Sequence, residues 1–207
     1  MKKSAPWFFL TLLLGGSLSC SFLSNLFNPV DPEASKAIKE FNAKPEMLEA
    51  SYHNLHTLIR ENPESAAVAA LQQLQADDPS VRFVAIYTLA NTATTDAQLD
   101  ALRTVLTSAS LSERVLAAEA LLARGDKQAV PVLIAALNSG EDLANSLPPR
   151  QAWEYARQLL LQFTDQDFGL TVDESLAAAT AAQPAWQAWW EQNGGGLEWF
   201  PDEGVFR

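Results

Sequence analysis

The sequence predicts an all-α fold, a solenoid in which antiparallel helix pairs stack in a row. Residues 67–165 contain three similar units, each with a Leu- and Ala-rich helix, a turn and a second Ala-rich helix. The first two units are 32 residues apart in both helices, and the third follows 31 residues later in its first helix and 39 later in its second. Helical pairs repeating at this length are typical of an α-solenoid.

The equivalent positions of the three units are mostly apolar. In the first helices they are Ala67, Ala70 and Leu74, then Leu99, Leu102 and Leu106, then Val130, Leu133 and Leu137. In the second helices they are Val84, Ala85 and Leu89, then Leu116, Ala117 and Leu121, then Tyr155, Ala156 and Leu160. Because alanine lets helices approach closely and leucine fills the space between them, we expect these residues to form the core.

The start of the chain has the pattern of an export signal. Lys2 and Lys3 precede an apolar run over residues 6–18, which is shorter than the roughly 20 apolar residues that a membrane-spanning helix needs. The run ends at Ser19 and Cys20, and Cys20 is the single cysteine of the chain. This segment resembles the lipobox of bacterial lipoproteins, in which a small residue precedes the cysteine that is lipidated. The alternative is an ordinary secretory signal that ends in cysteine.

That resemblance implies a signal peptide at residues 1–19 and acylation of Cys20, for example with palmitate. It also implies a lipid-anchored protein of the bacterial cell envelope that faces the periplasm or the exterior. Residues 20–34 are then predicted to be a tether, and residues 35–207 are predicted to form the helical domain. Within this domain, residues 35–62 are expected to form a capping pair of helices, near 34–41 and 45–60, that covers one end of the stack. His53 and His56 share a helix face there, but no third metal ligand accompanies them.

The second helices of the repeats resemble those of a known family. Asp78-Pro79-Ser80-Val81-Arg82 followed by Ala85 and Leu89, and Ser112-Glu113-Arg114 followed by Ala117 and Leu121, are similar to HEAT repeats, especially the phycobilisome-lyase-type HEAT units. The resemblance covers residues 64–169 and implies that the two arginines each pair with a nearby acid and tie neighbouring repeats together. The acids available for this role are Asp78, Glu113 and Asp126.

Solvent-facing positions of the second helices are expected to line the concave side of the solenoid. The candidate partner-binding residues at these positions are Phe83, Tyr87, Asn91, Glu119, Glu154 and Gln158, with Val115 in an equivalent position. Phe83 and Tyr87 are large aromatic residues one turn apart. Either they pack under the N-terminal pair, or they form a groove for a partner. The longer turn at residues 138–149 is expected to project from one edge of the stack.

Residues 170–207 are predicted to form a C-terminal cap rich in tryptophan. An inserted helix is expected over residues 171–182, followed by a short helix that carries Trp186, Trp189 and Trp190 on one face. An irregular tail with Trp199 and Phe206 follows. A hydrophobic cap is the expected role of these rings, and an aromatic platform for carbohydrate is the alternative.

Composition and charge limit the possible functions. The formal net charge of −11 excludes a typical nucleic-acid-binding protein and favours basic partners. No nucleophile–base–acid set can be assembled from two neighbouring histidines and one acylated cysteine, so we expect no enzyme, cofactor or metal. The sequence therefore predicts a membrane-anchored lipoprotein that binds an unidentified protein or acts as a scaffold. The alternatives are a bilin lyase-like enzyme or chaperone, and a lipoprotein that binds carbohydrate or peptidoglycan fragments.

Overall fold

The computed structural model of the chain describes residues 30–41, 45–146, 149–170 and 175–207. The predicted signal peptide, Cys20 and most of the predicted tether lie outside the described residues. Within the described part, no helix is both long and apolar enough to cross a membrane.

The described chain consists mainly of helices arranged in successive pairs. In chain order they are α1 (Pro32–Lys39), α2 (Pro45–Glu61), α3 (Pro63–Gln73), α4 (Pro79–Thr92), α5 (Asp96–Val105), α6 (Leu111–Leu122), α7 (Val130–Ala136) and α8 (Ala152–Thr164). A 3-10 helix at Lys127–Ala129 leads into α7. The chain ends with α9 (Leu176–Asn193) and the strands β1 (Trp199–Phe200) and β2 (Val205–Phe206).

The pairs stack as two layers. The first helices include α1, which packs on α3, and α3 in turn contacts α5. The second helices form the other layer, in which α2 packs on α4, α4 on α6 and α6 on α8. This arrangement confirms the all-α solenoid of HEAT-like helix pairs. The exposed side of the second layer is called the second-helix face below.

Several helices are capped at their N-terminus by a short polar side chain. Asp78 caps α4 by accepting a 2.8 Å hydrogen bond from the Ser80 amide, and Pro79 occupies the first helical position. Thr95 and Gln98 form a reciprocal capping box at the start of α5. These caps hold the turns of consecutive pairs in place.

Most of the repeated apolar positions are buried in the core as predicted, and the others pack against it partly buried, namely Leu74, Leu99, Leu106, Leu116 and Tyr155. In the first helices, Ala70, Leu102 and Leu133 are fully buried. The equivalent residues of the second helices, listed in chain order, are Leu89, Leu121 and Leu160, and they are also fully buried. One continuous hydrophobic cluster runs through all of these residues, so each pair covers the apolar face of the next.

Ion pairs and hydrogen bonds join neighbouring repeats. Arg82 Nε donates to Glu113 Oε1 over 3.0 Å, which confirms the predicted tie between the first and second units. Arg114 differs from the prediction, because its guanidinium donates to the carbonyls of Ser108 and Ala109. The carboxylate of Asp126 pairs with Arg103 instead.

The predicted end of the tether at residue 34 is wrong. Helix α1 begins at Pro32, and Ala34 is fully buried. Asp31 accepts a hydrogen bond from the Glu33 amide and Pro32 starts the helix, so the Asp-Pro pair caps a helix and does not mark a linker.

The C-terminal cap also differs from the prediction. A single helix, α9, runs from Leu176 to Asn193 through Pro184, so the residues assigned to two helices belong to one. Residues 171–174, the start of the predicted inserted helix, lie outside the described residues. Helix α9 packs on α7 and α8, and Gln183 Nε2 donates to the Ile134 carbonyl over 2.9 Å.

The tail is not irregular, because β1 and β2 form an antiparallel hairpin that pairs Trp199 with Phe206. The hairpin packs on α8 and on the turn after α6. At that turn Gly125 has φ +78°, and a Cβ there would lie 2.6 Å from the Trp199 ring. Lys127 Nζ donates to the carbonyls of Gly195 and Leu197, which fixes the segment before the hairpin.

Candidate binding site

The second-helix face contains an open pocket with a volume of about 380 Å³. Its walls come from α2, α4, α6, the start of α8 and the loop over residues 143–146. The side chains that give the pocket its chemistry are Tyr52, His56, Tyr87, Glu119, Arg150 and Tyr155.

The loop before α8 closes one side of this pocket. It was predicted to project from the stack, but it folds back over the second helices. The Ala144 amide donates to Ser112 Oγ over 2.8 Å, and the Tyr52 hydroxyl donates to the Asn145 carbonyl over 3.0 Å. Asn145 has φ 56°, a left-handed conformation that asparagine tolerates better than most residues. These contacts connect the loop to both α6 and α2.

Tyr52 and Tyr87 form the wall on the N-terminal side. Their ring centroids lie 5.7 Å apart in an edge-to-face arrangement, and the Tyr87 hydroxyl is 3.1 Å from His56 Nε2. Phe41 packs edge-on against Tyr52 from behind, with centroids 5.1 Å apart. Burial raises the pKa of both phenols above their ordinary value, so both stay neutral at physiological pH.

Glu119, Tyr155 and Arg150 form the opposite wall. The Tyr155 hydroxyl and the Glu119 carboxylate lie close enough to shift each other's pKa. The Arg150 guanidinium lies over the Tyr155 ring, 5.0 Å from its centroid, and donates to Gln158 Oε1 over 3.2 Å. Burial raises the pKa of Glu119, while the Tyr155 hydroxyl and Arg150 act in the opposite direction. Burial and the nearby Glu119 carboxylate also raise the pKa of Tyr155 far above its ordinary value.

The predicted partner-binding residues separate into three groups. Tyr87 and Glu119 line the pocket and are partly exposed. Asn91 on α4 and both Glu154 and Gln158 on α8 are exposed and lie outside the pocket.

Phe83 and Val115 were expected to face solvent, and this expectation is wrong. Phe83 is only 9% exposed and Val115 only 1%. Helix α2 packs on α4 next to Phe83, and the bond from Ala144 to Ser112 holds the loop over α6 next to Val115. Phe83 therefore belongs to the core and also borders the pocket, whereas Tyr87 packs against α2 with its hydroxyl at the pocket.

Sequence reasoning missed Tyr52, Arg150 and Tyr155 as pocket residues. Tyr155 was assigned to the core because it aligns with Val84 and Leu116. Its hydroxyl was the available signal, since a buried phenol usually reaches a polar partner.

His53 and His56 do not form a metal site with other described residues. No group of three or more His, Cys, Asp or Glu side chains that could hold a metal ion occurs in the described ranges. His56 contacts Tyr52 and Tyr87, with ring centroids 6.3 and 5.8 Å away, and so contributes to the pocket wall.

The tryptophans of the cap pack mainly on the protein itself. Trp186 is fully buried, and its ring lies edge-to-face with Phe168 and Trp189 at centroid distances of 4.8 and 5.8 Å. Trp199 packs on Phe206 with centroids 4.8 Å apart. These contacts support the hydrophobic cap.

Comparison with known proteins agrees with this architecture. Residues 67–147 match the family model described as HEAT repeats. This stretch is similar to HEAT repeats. It includes most of α3, all of α4 to α7 and the loop over the pocket. No curated protein and no solved structure matches the chain significantly.

Proposed function

We propose that this protein is a non-catalytic protein-binding or scaffold module that recognises its partner on the second-helix face. The observation that supports the proposal best is the pocket in which α2, α4, α6, α8 and the loop over residues 143–146 meet. HEAT-type solenoids use extended surfaces of this kind to bind other proteins, and residues 67–147 match that family model. The pocket places aromatic side chains, which often carry much of the binding energy of an interface, on this surface.

A photocrosslinking experiment tests which face binds the partner. A photoreactive phenylalanine analogue is placed in living cells at Asn91 or Gln158, both exposed on the second helices, and at Thr104, exposed on α5. The two second-helix positions should give a discrete crosslinked protein, and Thr104 should not. Loss of the crosslink in the Tyr87→Ser variant would show that the partner binds at the pocket. Equal crosslinking from Thr104 would contradict the proposal.

The proposal includes a lipid anchor at Cys20 and a position at the bacterial cell envelope. Its support is the sequence pattern alone: the two lysines, the apolar run over residues 6–18, the small residue Ser19 and the single cysteine. Several acyl chains would hold the protein at a membrane, because each buried CH₂ contributes about 0.8 kcal/mol.

Metabolic labelling tests the anchor. Cells grown with a fatty-acid analogue should label the wild-type protein and leave Cys20→Ser unlabelled. Ser19→Ala keeps a small residue before the cysteine and should still be labelled. Equal labelling of wild type and Cys20→Ser would exclude lipidation at this position.

A further inference from the structure

All three tyrosines of the chain line one pocket. Tyr52, Tyr87 and Tyr155 belong to α2, α4 and α8, which are far apart in sequence. Their hydroxyls are engaged by the Asn145 carbonyl, by His56 and by Glu119, so the remaining surface that they offer consists mainly of their rings. Aromatic faces carry negative electrostatic potential and attract cations.

A carboxylate lies between these rings. Glu119 is partly buried, and among the described residues no arginine or lysine lies within ion-pair distance of it. The nearby Arg150 is engaged elsewhere, by the Tyr155 face and by Gln158. Charges interact more strongly in a partly desolvated pocket than in water, so Glu119 favours the entry of a cation.

The position of Arg150 also shows that this pocket accepts a cationic side chain. Its guanidinium already lies 5.0 Å from the centroid of the Tyr155 ring, the geometry of a cation–π contact. Tyr52 and Tyr87, on the opposite wall, have no such cation near their rings among the described residues. An incoming cation would thus occupy the side of the pocket away from Arg150.

We propose that the pocket between Tyr52, Tyr87, Tyr155 and Glu119 binds the protonated side chain of a lysine or arginine in the partner protein. This inference rests on the proposed function and specifies the chemistry of the partner. The pocket opens on the second-helix face, and the chain has a formal net charge of −11, which attracts basic protein surfaces.

The tyrosines supply a probe for this pocket. With the full-length protein in detergent and ¹³C-labelled tyrosine rings, nuclear magnetic resonance reports on this pocket alone, because no other tyrosine exists. Acetyl-Gly-Lys-Gly-amide and its arginine analogue should shift these signals saturably. The norleucine analogue, which has no charge, should not. In a second sample with ¹³C-labelled tryptophan rings, the signals of the C-terminal cap should stay unchanged throughout and serve as a control for folding.

Two variants, one at the carboxylate and one at the arginine, distinguish a cation site from an anion site. Glu119→Gln should weaken binding of the lysine peptide by about tenfold or more, whereas Arg150→Gln, which removes a competing cation, should not weaken it. Glu191→Gln, an exposed acid on α9 that bonds to Gln187, should bind like the wild type. Tighter binding in Glu119→Gln together with weaker binding in Arg150→Gln would overturn the proposal.

Further outcomes define the source of the cation. Spermidine that shifts the tyrosine signals when neither peptide does would overturn the assignment to a protein side chain. Equal shifts with the norleucine peptide would overturn the role of charge. If Glu119→Gln keeps the crosslink from Gln158 at the wild-type level, the cation site is wrong and the proposed function stands. If the crosslink never depends on position, the proposed function itself fails.

Discussion

Two of the aromatic clusters in the described structure differ in their polar neighbours. The tyrosine cluster (Tyr52, Tyr87 and Tyr155) lies on the second-helix face, and each of its hydroxyls has a protein partner. The tryptophan cluster (Trp186 and Trp189 with Phe168) lies at the C-terminal end. In it, the buried Nε1 of Trp186 has no hydrogen-bond partner among the residues that the structure describes.

This difference shows how one class of side chain serves two purposes. Around the tyrosines, Glu119, Arg150 and His56 contribute polar groups to the pocket, and the three rings are partly exposed. Around Trp186, apolar contacts dominate, and the ring is fully buried although its N–H group has no hydrogen-bond partner in the described part of the chain. Burial of large apolar area stabilises the end of the stack, whereas partial exposure beside charges is suited to binding.

The largest expected effect comes from truncation in the tryptophan cluster. Trp186→Ala should lower the free energy of unfolding by about 3–5 kcal/mol, because it removes a fully buried indole and leaves a cavity. Urea denaturation measures this loss. Tyr87→Phe is the matched change in the tyrosine cluster and should cost roughly 1 kcal/mol or less, since it removes one exposed hydrogen bond to His56. Similar losses in the two variants would show that both clusters are structural.

The core of the repeats, between the two clusters, should be destabilised both by smaller and by larger side chains. Leu121→Ala should cost about 2–5 kcal/mol because Leu121 is fully buried. Ala117→Leu should cost about 1–3 kcal/mol because the fully buried Ala117 leaves no room for a larger side chain. Thermal unfolding measures both losses. If both variants melt like the wild type, the inward face of α6 has been assigned incorrectly.

The layered fold could be predicted from the sequence because it depends on local, repeated signals. Apolar spacing placed Leu89, Leu121 and Leu160 in the core, and Asp78-Pro79 marked the start of α4. The same reasoning failed where Asp31-Pro32 was read as a tether, because a capping pair and a linker have similar composition. The two helices predicted for this part of the cap are one helix, α9, which continues through Pro184 and packs on α7 and α8.

The candidate site was predictable only in part because long-range contacts build it. Tyr87 and Glu119 follow from the helical period of the repeats. The contribution of Tyr52 depends on how α2 packs on α4, and that of Arg150 depends on the loop that Ser112 holds. Periodicity within one helix contains no information about either contact. The same holds for Arg124, which donates to the carbonyls of Ala90 and Ala93 at the end of α4, a contact between repeats that periodicity does not predict.

Removal of the Arg82–Glu113 ion pair between the first two repeats should lower the free energy of unfolding by an intermediate amount. Arg82→Met removes the ion-pair partner of Glu113, whose side chain is only 7% exposed and retains the hydrogen bond from the Ser108 hydroxyl, and should cost about 1–3 kcal/mol. Arg114→Met is the matched control, because that guanidinium bonds to carbonyls near its own helix and should cost less. Urea denaturation at equal ionic strength compares the two. A larger loss in Arg114→Met would contradict the role assigned to Arg82.

The smallest expected effect is a pH dependence that separates the tyrosine cluster from the rest of the protein. Burial raises the pKa of Glu119 in the folded state above its ordinary value of 4.5. The folded state therefore favours the protonated form, so the associated stability is fully present below the unfolded pKa and is lost as pH rises through the folded pKa.

Glu119→Gln removes this titration while keeping a group of similar shape beside Tyr155 and Arg150. The free energy of unfolding of the wild type, minus that of Glu119→Gln, should decrease as pH rises from below 4.5 toward neutrality. Because distant carboxylates titrate alike in both proteins, their contributions cancel in this difference. Tyr87 and Tyr155 stay neutral over this range, since the pKa of each phenol is raised. A difference that rises with pH would mean that Tyr155 and Arg150 stabilise the carboxylate more than burial destabilises it. In that case the folded protein already compensates the charge of Glu119, and a cation from a partner would gain little by entering the pocket.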